Sequence, residues 1–267
     1  MHHSVQDLRR FYYERPLGRV VQRILRDRLT ARWPAQGCQG MNVAGYGFAA
    51  PLLRPYLATA RRVSALMPGP QGAMVWPAGA KNHSVLTEES AWPIETGSLD
   101  RLVMLHGLET GDQPNALLHE AWRALGPGGR MIVMVPNRAG LWAASDGTPF
   151  GFGRSYTTGQ IAAQARAAGF AVEWQTSAVY IPPSDRRFWL RSAQMWERMG
   201  SRISWMLIAG VVLTELSKQG RAPVGPGLRV HVPSPLDILD GVVRPRPGGR
   251  LASHPGRPLR HRGTDEG

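Results

Sequence analysis

The chain has 267 residues, 43% hydrophobic and 19% charged, proportions that are ordinary for a soluble globular protein with one sizeable core. Its single cysteine excludes an internal disulfide framework and a cysteine-clustered metal site, so we expect no bound metal and a reducing, cytoplasmic compartment. We find no signal-peptide core, and the longest apolar run, 203–213, is too short to span a bilayer, so we expect no membrane span.

The net charge of +13 raises nucleic acid or an anionic membrane as a partner. Most of this charge lies at the two ends: residues 1–32 carry eight arginines against three acids, and residues 221–267 carry eight against four. Because a run of charge is more often a solvated face than a binding surface, charge alone leaves nucleic acid open as a partner without favouring it.

Residues 5–30 place apolar side chains at helical spacing, with arginines on the remaining face. This pattern predicts an N-terminal helical extension, 1–32, bent at residues 16–18 and packed outside the core. The alternative is a lid whose aromatic residues Phe11, Tyr12 and Tyr13 close over a ligand.

The first three strands of the core are predicted at residues 41–47, 62–67 and 83–86. The first strand ends in a Gly-x-Gly turn, Gly45 to Gly47, and a short helix broken by two prolines follows it. Such a turn brings the backbone close to a ligand. Residues 70–80 predict at best a short helix broken by proline.

Residues 97–137 are the most regular stretch. A nearly continuous apolar strand at 99–105 is followed by an amphipathic helix from Gln113, a glycine-rich stop at 126–129 and a second buried strand at 131–135. Two such strands joined through a helix form a βαβ unit with a right-handed crossover.

The second half begins with an aromatic loop, 138–154, and a helix, 159–168, that ends at Gly169. Strands are predicted at 171–180 and 207–218, with a helix capped at Ser184 and Asp185 between them. Alternation of strands and helices predicts a doubly wound α/β sheet that binds ligands at the carboxyl ends of its strands.

Two further features of this half have competing interpretations or no regular pattern. The aromatic residues of the loop and the helix either form a substrate wall or pack in the core: Trp142, Phe150, Phe152, Phe188, Trp189 and Trp196. Residues 221–267 contain eight prolines and eight glycines without a sustained period, which predicts a disordered basic tail.

Residues 97–109 and 117–137 resemble the fourth strand, fourth helix and fifth strand of class I S-adenosylmethionine-dependent methyltransferases, in particular the methyltransferase type 11-like domain. The helix and strand at 159–174 resemble a later unit of that family. The resemblance covers residues 37–219. It implies a Rossmann-like, mostly parallel sheet whose last two strands pair as an antiparallel hairpin at one edge.

The resemblance also implies S-adenosyl-L-methionine as the cofactor and assigns its contacts. The glycine turn of the family falls on Gly45, Tyr46 and Gly47, and the end of the second strand falls on Met67. The adenine contact falls on Glu88, with Glu89 as the neighbouring candidate. The end of the fourth strand falls on Leu105 and His106.

Two acids of the family pattern are missing, because Val43 stands before the glycine turn and Met67 stands where a carboxylate binds both ribose hydroxyls. Charge-assisted hydrogen bonds contribute about 1.5–3 kcal/mol each, so their loss weakens cofactor binding by one to a few powers of ten.

The resemblance therefore predicts an active S-adenosylmethionine-dependent methyltransferase, with a small molecule as the expected acceptor. The alternative is an inactive relative that acts as a binding or scaffolding partner. In the first, His106 is the best-placed base, although the favoured alternative is that it only closes the strand and contacts cofactor through its backbone. Residues 106–109 replace the Asn-Pro-Pro-aromatic loop of base-amine methyltransferases, which counts against nucleic acid. The methyl acceptor and the oligomeric state are not predicted.

Overall fold

Seven strands form one sheet in the part of the chain that the structure, a computed structural model, describes, residues 3–200 and 209–219. The strands are β1 Asn42–Gly47, β2 Arg62–Pro68, β3 Ser84–Thr87, β4 Leu99–Leu105, β5 Leu125–Pro136, β6 Phe170–Ala178 and β7 Val211–Lys218. Their order is β3-β2-β1-β4-β5-β7-β6, and β7 runs antiparallel to both neighbours while the other pairs are parallel. The predicted Rossmann-like sheet with an antiparallel last strand is confirmed.

Helices cover both faces of this sheet. They are α1 Val5–Arg9, α2 Pro16–Arg32, α3 Ala50–Leu53, α4 Pro114–Ala124, α5 Thr158–Ala167 and α6 Arg187–Gly200. Alternate residues of β4 face opposite ways: Val103 belongs to the buried cluster that includes α2 and α3, and Leu102 to the cluster that includes α4 and α5. Burial on both faces explains why the strands are continuously apolar in sequence.

The N-terminal helices bend at Arg15, one residue before the predicted bend at residues 16–18. One turn of π-helix, Arg10–Glu14, follows α1, and Arg15 is extended with ψ 135° before α2 begins at Pro16. A residue that precedes proline is disfavoured from helical geometry, so the break falls there. The π turn buries Phe11 and Tyr12 against the body.

The end of α2 is tied to the sheet through the buried carboxylate of Glu215 on β7. Arg32 Nε donates to Oε2 at 2.5 Å, Trp33 Nε1 donates to Oε1 at 2.9 Å, and Arg130 Nη1 lies 3.2 Å from Oε1. Burial raises the pKa of Glu215, but these donors together outweigh burial and lower that pKa below its ordinary value. The carboxylate therefore holds α2 on the sheet in its charged form.

The predicted βαβ unit is confirmed, and α4 ends at Ala124, while the predicted glycine-rich stop at 126–129 lies in the first part of β5. β5 begins earlier than predicted, at Leu125. Its first residue pairs with Leu99 of β4, and after a register irregularity the pairing continues from Arg101 with Arg130. In the next unit Thr157 caps α5 in a capping box with Gln160, and Gly169 has φ +86°, which confirms the predicted left-handed stop.

Other boundaries differ from the predictions. Residues 70–80 form no helix beyond one 3₁₀ turn, Gly69–Gln71, because the prolines of this segment cannot donate backbone hydrogen bonds. The last described strand begins at Val211, while residues 207 and 208 and the predicted tail at 221–267 lie outside the described residues. Among the described helices, none is long and apolar enough to cross a bilayer.

Candidate functional site

The carboxyl ends of β1, β2 and β4 meet along one edge of the sheet, which we call the carboxyl edge and define by Gly47, Pro68 and Leu105. In an open α/β sheet this is the edge where ligands bind. Most of the predicted cofactor residues lie on it or next to it.

Both glycines of the predicted turn are needed for packing within the chain. A Cβ on Gly45 would lie 2.8 Å from Ala49 Cβ and from Leu53 Cδ1, so this glycine lets α3 approach β1. Gly47 has φ +75°, and a Cβ there would collide with the carbonyl oxygen of Leu105. The turn is therefore closed against the end of β4, where Phe48 N donates to Leu105 O at 2.7 Å.

His106 lies at the end of β4 with an unusual φ of +52° and a side chain 1% exposed. Its Nδ1 lies 3.0 Å from Oε1 of Glu109, and its Nε2 lies 2.7 Å from the hydroxyl of Tyr12. Since a carboxylate accepts, the consistent assignment is Nδ1–H donating to Glu109 and the Tyr12 hydroxyl donating to Nε2. The structure thus contains a buried Tyr12–His106–Glu109 chain.

The three hydrogen-bonded side chains of Tyr12, His106 and Glu109 are buried. Burial, with the nearby Glu109 charge as a second cause, raises the pKa of Tyr12 well above its ordinary value, so its hydroxyl remains a donor. Phe150 lies 4.7 Å from the His106 ring, centroid to centroid, and Tyr12 stacks on Phe48 at 5.6 Å. Oε2 of Glu109 is buried without a hydrogen-bond partner among the described residues.

A second buried side chain crosses the carboxyl edge. Gln71 follows β2, and its amide nitrogen donates to the carbonyl oxygen of His106 beyond β4. Because β1 lies between β2 and β4, the Gln71 side chain passes over the end of β1 and its glycine turn. Gln71 is itself buried, and its amide also reaches Thr110 Oγ1 at 3.3 Å.

Met67 and Leu105 are buried core residues at this edge. Met67 holds the position of the ribose-binding acid, and its sulfur accepts a hydrogen bond from Met74 N at 3.3 Å. A thioether in that place offers no charge to a pair of hydroxyls. Leu105 contributes its backbone carbonyl, which Phe48 already occupies.

Beside β3, at the far end of the carboxyl edge, the structure has an open pocket instead of buried side chains. Glu88 is exposed and lines an open pocket of about 390 Å³ together with Leu86, Trp92 and other residues. Tyr46 is buried beside this pocket and stacks on Trp92 at 4.9 Å. Its hydroxyl has no hydrogen-bond partner among the described residues, and burial raises its pKa. Glu89 turns away to accept from the backbone N–H of Asp112 at 3.1 Å, where α4 begins.

S-adenosylmethionine does not fit the described residues in this arrangement. Its ribose would meet Met67 instead of a carboxylate, and the carbonyl oxygens of Leu105 and His106 already accept from Phe48 N and Gln71. The buried ring of Tyr12 stacks on Phe48, the residue that follows the turn, and so takes up space beside it. Within the described ranges, no group of three metal-ligating side chains could hold a metal ion.

The structure brings Gly45, Gly47, Leu105 and His106 together at the carboxyl edge and places Glu88 and Glu89 near β3. Their role as cofactor contacts stays a prediction. Tyr12 belonged to the aromatic lid that the sequence left open, and it does cover His106. Neither Gln71 nor Glu109 has a predicted role. For Glu109 a signal existed, since it lies three residues after His106 in the segment that replaces the family loop, whereas nothing in the sequence marks Gln71.

No protein-family model matches this sequence, and neither does any curated protein. Solved structures do match. A chain from the complex of the Haloferax volcanii Trm112 methyltransferase activator with a proposed methyltransferase is 20% identical, at TM-score 0.56 over 76% of this chain and 95% of that one. An S-adenosylmethionine-dependent methyltransferase from Mesorhizobium loti is 14% identical, at TM-score 0.52 over 72% and 96%.

These matches and the strand order show that the chain has the class I methyltransferase fold. A third match, to the [4+2]-cyclase SpnF, is 18% identical at TM-score 0.50 over 75% of this chain and 81% of that one. A fold that also carries a cyclase does not by itself define a methyl-transfer reaction.

Proposed function

We propose that this chain is a methyltransferase-fold protein that does not use S-adenosylmethionine and that acts as a binding or scaffolding partner. The observation that carries the proposal is the double closure of the carboxyl edge on His106. Tyr12 hydrogen-bonds the ring, and Gln71 hydrogen-bonds the backbone carbonyl. The Tyr12 ring takes up space beside the glycine turn, and the Gln71 side chain lies across the edge where a cofactor would bind.

The cost of opening this closure supports the proposal. Displacing Tyr12 would expose its own buried ring and uncover the ring of Phe48 on which it stacks, and each fully buried aromatic side chain contributes about 1.5–3 kcal/mol through burial. Every 1.4 kcal/mol of such cost weakens apparent affinity about tenfold. The absent acids at Val43 and Met67 remove the contacts that could offset it.

An S-adenosylmethionine-dependent methyltransferase acting on a small molecule is the second candidate, and one observation favours it. Glu109 holds Nδ1 of His106 so that Nε2 is the basic nitrogen, which is the state a general base requires. In this candidate the segment that carries Tyr12 moves away, Nε2 takes the acceptor's proton, and Glu88 contacts the ligand from the open pocket. The sequence motifs alone would support this enzyme.

Isothermal titration of the full chain with S-adenosylmethionine and S-adenosylhomocysteine tests the two candidates. The proposal predicts no saturable heat at millimolar ligand, for the wild type and for Gln71→Ala alike. Gln160→Ala, a substitution of the same type on α5, is the matched control. Saturable binding to the wild type would overturn the proposal. Binding that tightens in Gln71→Ala and not in Gln160→Ala would in addition favour the second candidate, because opening the closure would then help the cofactor.

A further inference from the structure

Helix α6 presents an apolar stripe to solvent. Phe188 is 66% exposed, and Met195 and Met199 are each 46% exposed. At 3.6 residues per turn, these three positions fall within about 40° of one another around the helix axis. They form one continuous stripe, which we call the α6 stripe.

The opposite face of α6 is fixed to the body of the protein. Glu197 accepts from the backbone N–H of Tyr180 at 2.7 Å and from Arg28 Nη2 at 3.3 Å. Gly200 rests on the ring of Tyr180, where any added Cβ would collide. Because these contacts fix the rotation of the helix, the α6 stripe cannot turn inward to become buried.

The exposed surface beside the α6 stripe is cationic. Arg187, Arg191 and Arg198 are exposed, and their spacing of four and seven residues places them on one flank of the helix. Glu197 is the one acid of α6, and it is buried and paired with Arg28. The outward half of the helix therefore combines apolar and positively charged side chains.

We propose that α6 docks this protein on an anionic membrane surface, with the helix axis parallel to the bilayer. The α6 stripe enters the boundary between headgroups and acyl chains, and the arginine flank pairs with anionic headgroups. Trp189 and Trp196, half-buried beside the stripe with ring centroids 5.4 Å apart, are residue types that favour this boundary.

The apolar stripe distinguishes a membrane from nucleic acid as the partner. Phosphate contacts by a polynucleotide would use the arginines but would leave Phe188, Met195 and Met199 in water. A lipid surface satisfies both halves of the helix at once. The inference is independent of whether the carboxyl edge binds a cofactor, because α6 contacts the body through its other face.

Co-sedimentation of the full chain with vesicles tests the charge requirement. We expect binding to vesicles of phosphatidylcholine with phosphatidylglycerol, weaker binding to phosphatidylcholine alone, and a decline with added salt. The double variant Arg187→Gln/Arg191→Gln should lower the association constant about 25-fold, since an arginine near an anionic surface contributes about fivefold. Arg62→Gln/Arg166→Gln removes the same charge from β2 and α5 and should bind as the wild type does.

The apolar requirement is tested with Phe188→Ser, which should lower vesicle binding about tenfold through lost burial of the ring. Val75→Ser, at a residue 68% exposed in a loop, is the matched control and should change nothing. The arginines of residues 221–267 are present in all variants, so differences between variants report on α6 alone.

Three results would overturn the proposal. One is equal loss of binding in the two arginine double variants. Another is unchanged binding of Phe188→Ser, which would indicate a polyanion site without lipid insertion. The third is a dimer, detected by sedimentation without vesicles, that dissociates in the Phe188→Ser variant. A second copy of the chain would then cover the α6 stripe.

Discussion

The two ends of the carboxyl edge differ: the end at β1 and β4 is closed by side chains of the protein, and the end at β3 is open to solvent. At the β1–β4 end, the glycine turn is retained in sequence, yet a Cβ on Gly47 would collide with the end of β4 and Tyr12 takes up space beside the turn. At the β3 end, a pocket stays open beside Glu88, although few polar side chains converge on it. A retained glycine motif therefore reports a close approach of backbone, and that approach can be to the chain itself.

The two ends should also differ in how much they contribute to the free energy of unfolding. The closed end combines buried aromatic rings, a hydrogen-bonded histidine and a backbone contact, all of which stabilise the folded state. The open end consists of exposed side chains whose removal should cost little. Substitutions matched in type but placed at different points of this edge should therefore differ in their effect on the free energy of unfolding.

The largest expected effect is at the glycine turn. Gly47→Ala should lower the free energy of unfolding by about 3 kcal/mol, because a left-handed alanine costs about 1–2 kcal/mol and overpacking adds about 1–3 kcal/mol. Gly79 has the same φ of +75° with no atom within 4 Å of a built Cβ, so Gly79→Ala should show the first contribution alone. Urea unfolding of both variants measures the difference. Equal losses would mean that the turn is not packed against β4 in solution.

Two buried tyrosines give the next comparison. Tyr12→Phe leaves Nε2 of His106 without its donor and should cost about 1–2 kcal/mol of unfolding free energy. The hydroxyl of Tyr46 is buried and finds no partner within residues 3–200 and 209–219, so Tyr46→Phe should be neutral or stabilising by up to about 1 kcal/mol. Urea unfolding curves at neutral pH test both values. The contrast fails if the two variants lose the same stability, since the Tyr12 hydroxyl would then not be bonded to His106.

The fold was accessible from sequence because its signals are local and periodic. The continuous apolar run of β4, the helical spacing of α4 and the glycine-rich stop after Ala124 each determine one element, and their order determines a βαβ unit. Gly169 could be assigned as a helix stop from its residue type alone.

The site was less accessible because its contacts join residues far apart in the chain. Tyr12 and His106 are separated by 94 positions and Gln71 and His106 by 35, and no periodicity relates them. The resemblance located the end of β4 but not what lies above it. Glu89 illustrates the same limit: the pattern placed it near an adenine contact, and packing directs it to the start of α4.

The smallest expected effect separates the two neighbouring glutamates at the open end. Glu89 accepts from the backbone N–H groups of Asp112 and Gln113, so Glu89→Ala should cost about 1 kcal/mol, as the loss of a helix cap does. Glu88→Ala removes an exposed carboxylate and should change stability by less than about 0.5 kcal/mol. Amide hydrogen exchange gives a direct measurement, because the Asp112 and Gln113 N–H groups should exchange faster in Glu89→Ala and unchanged in Glu88→Ala. Faster exchange in Glu88→Ala instead would show that Glu88, and not Glu89, accepts from these N–H groups. Glu89 would then be free to face a ligand in the open pocket.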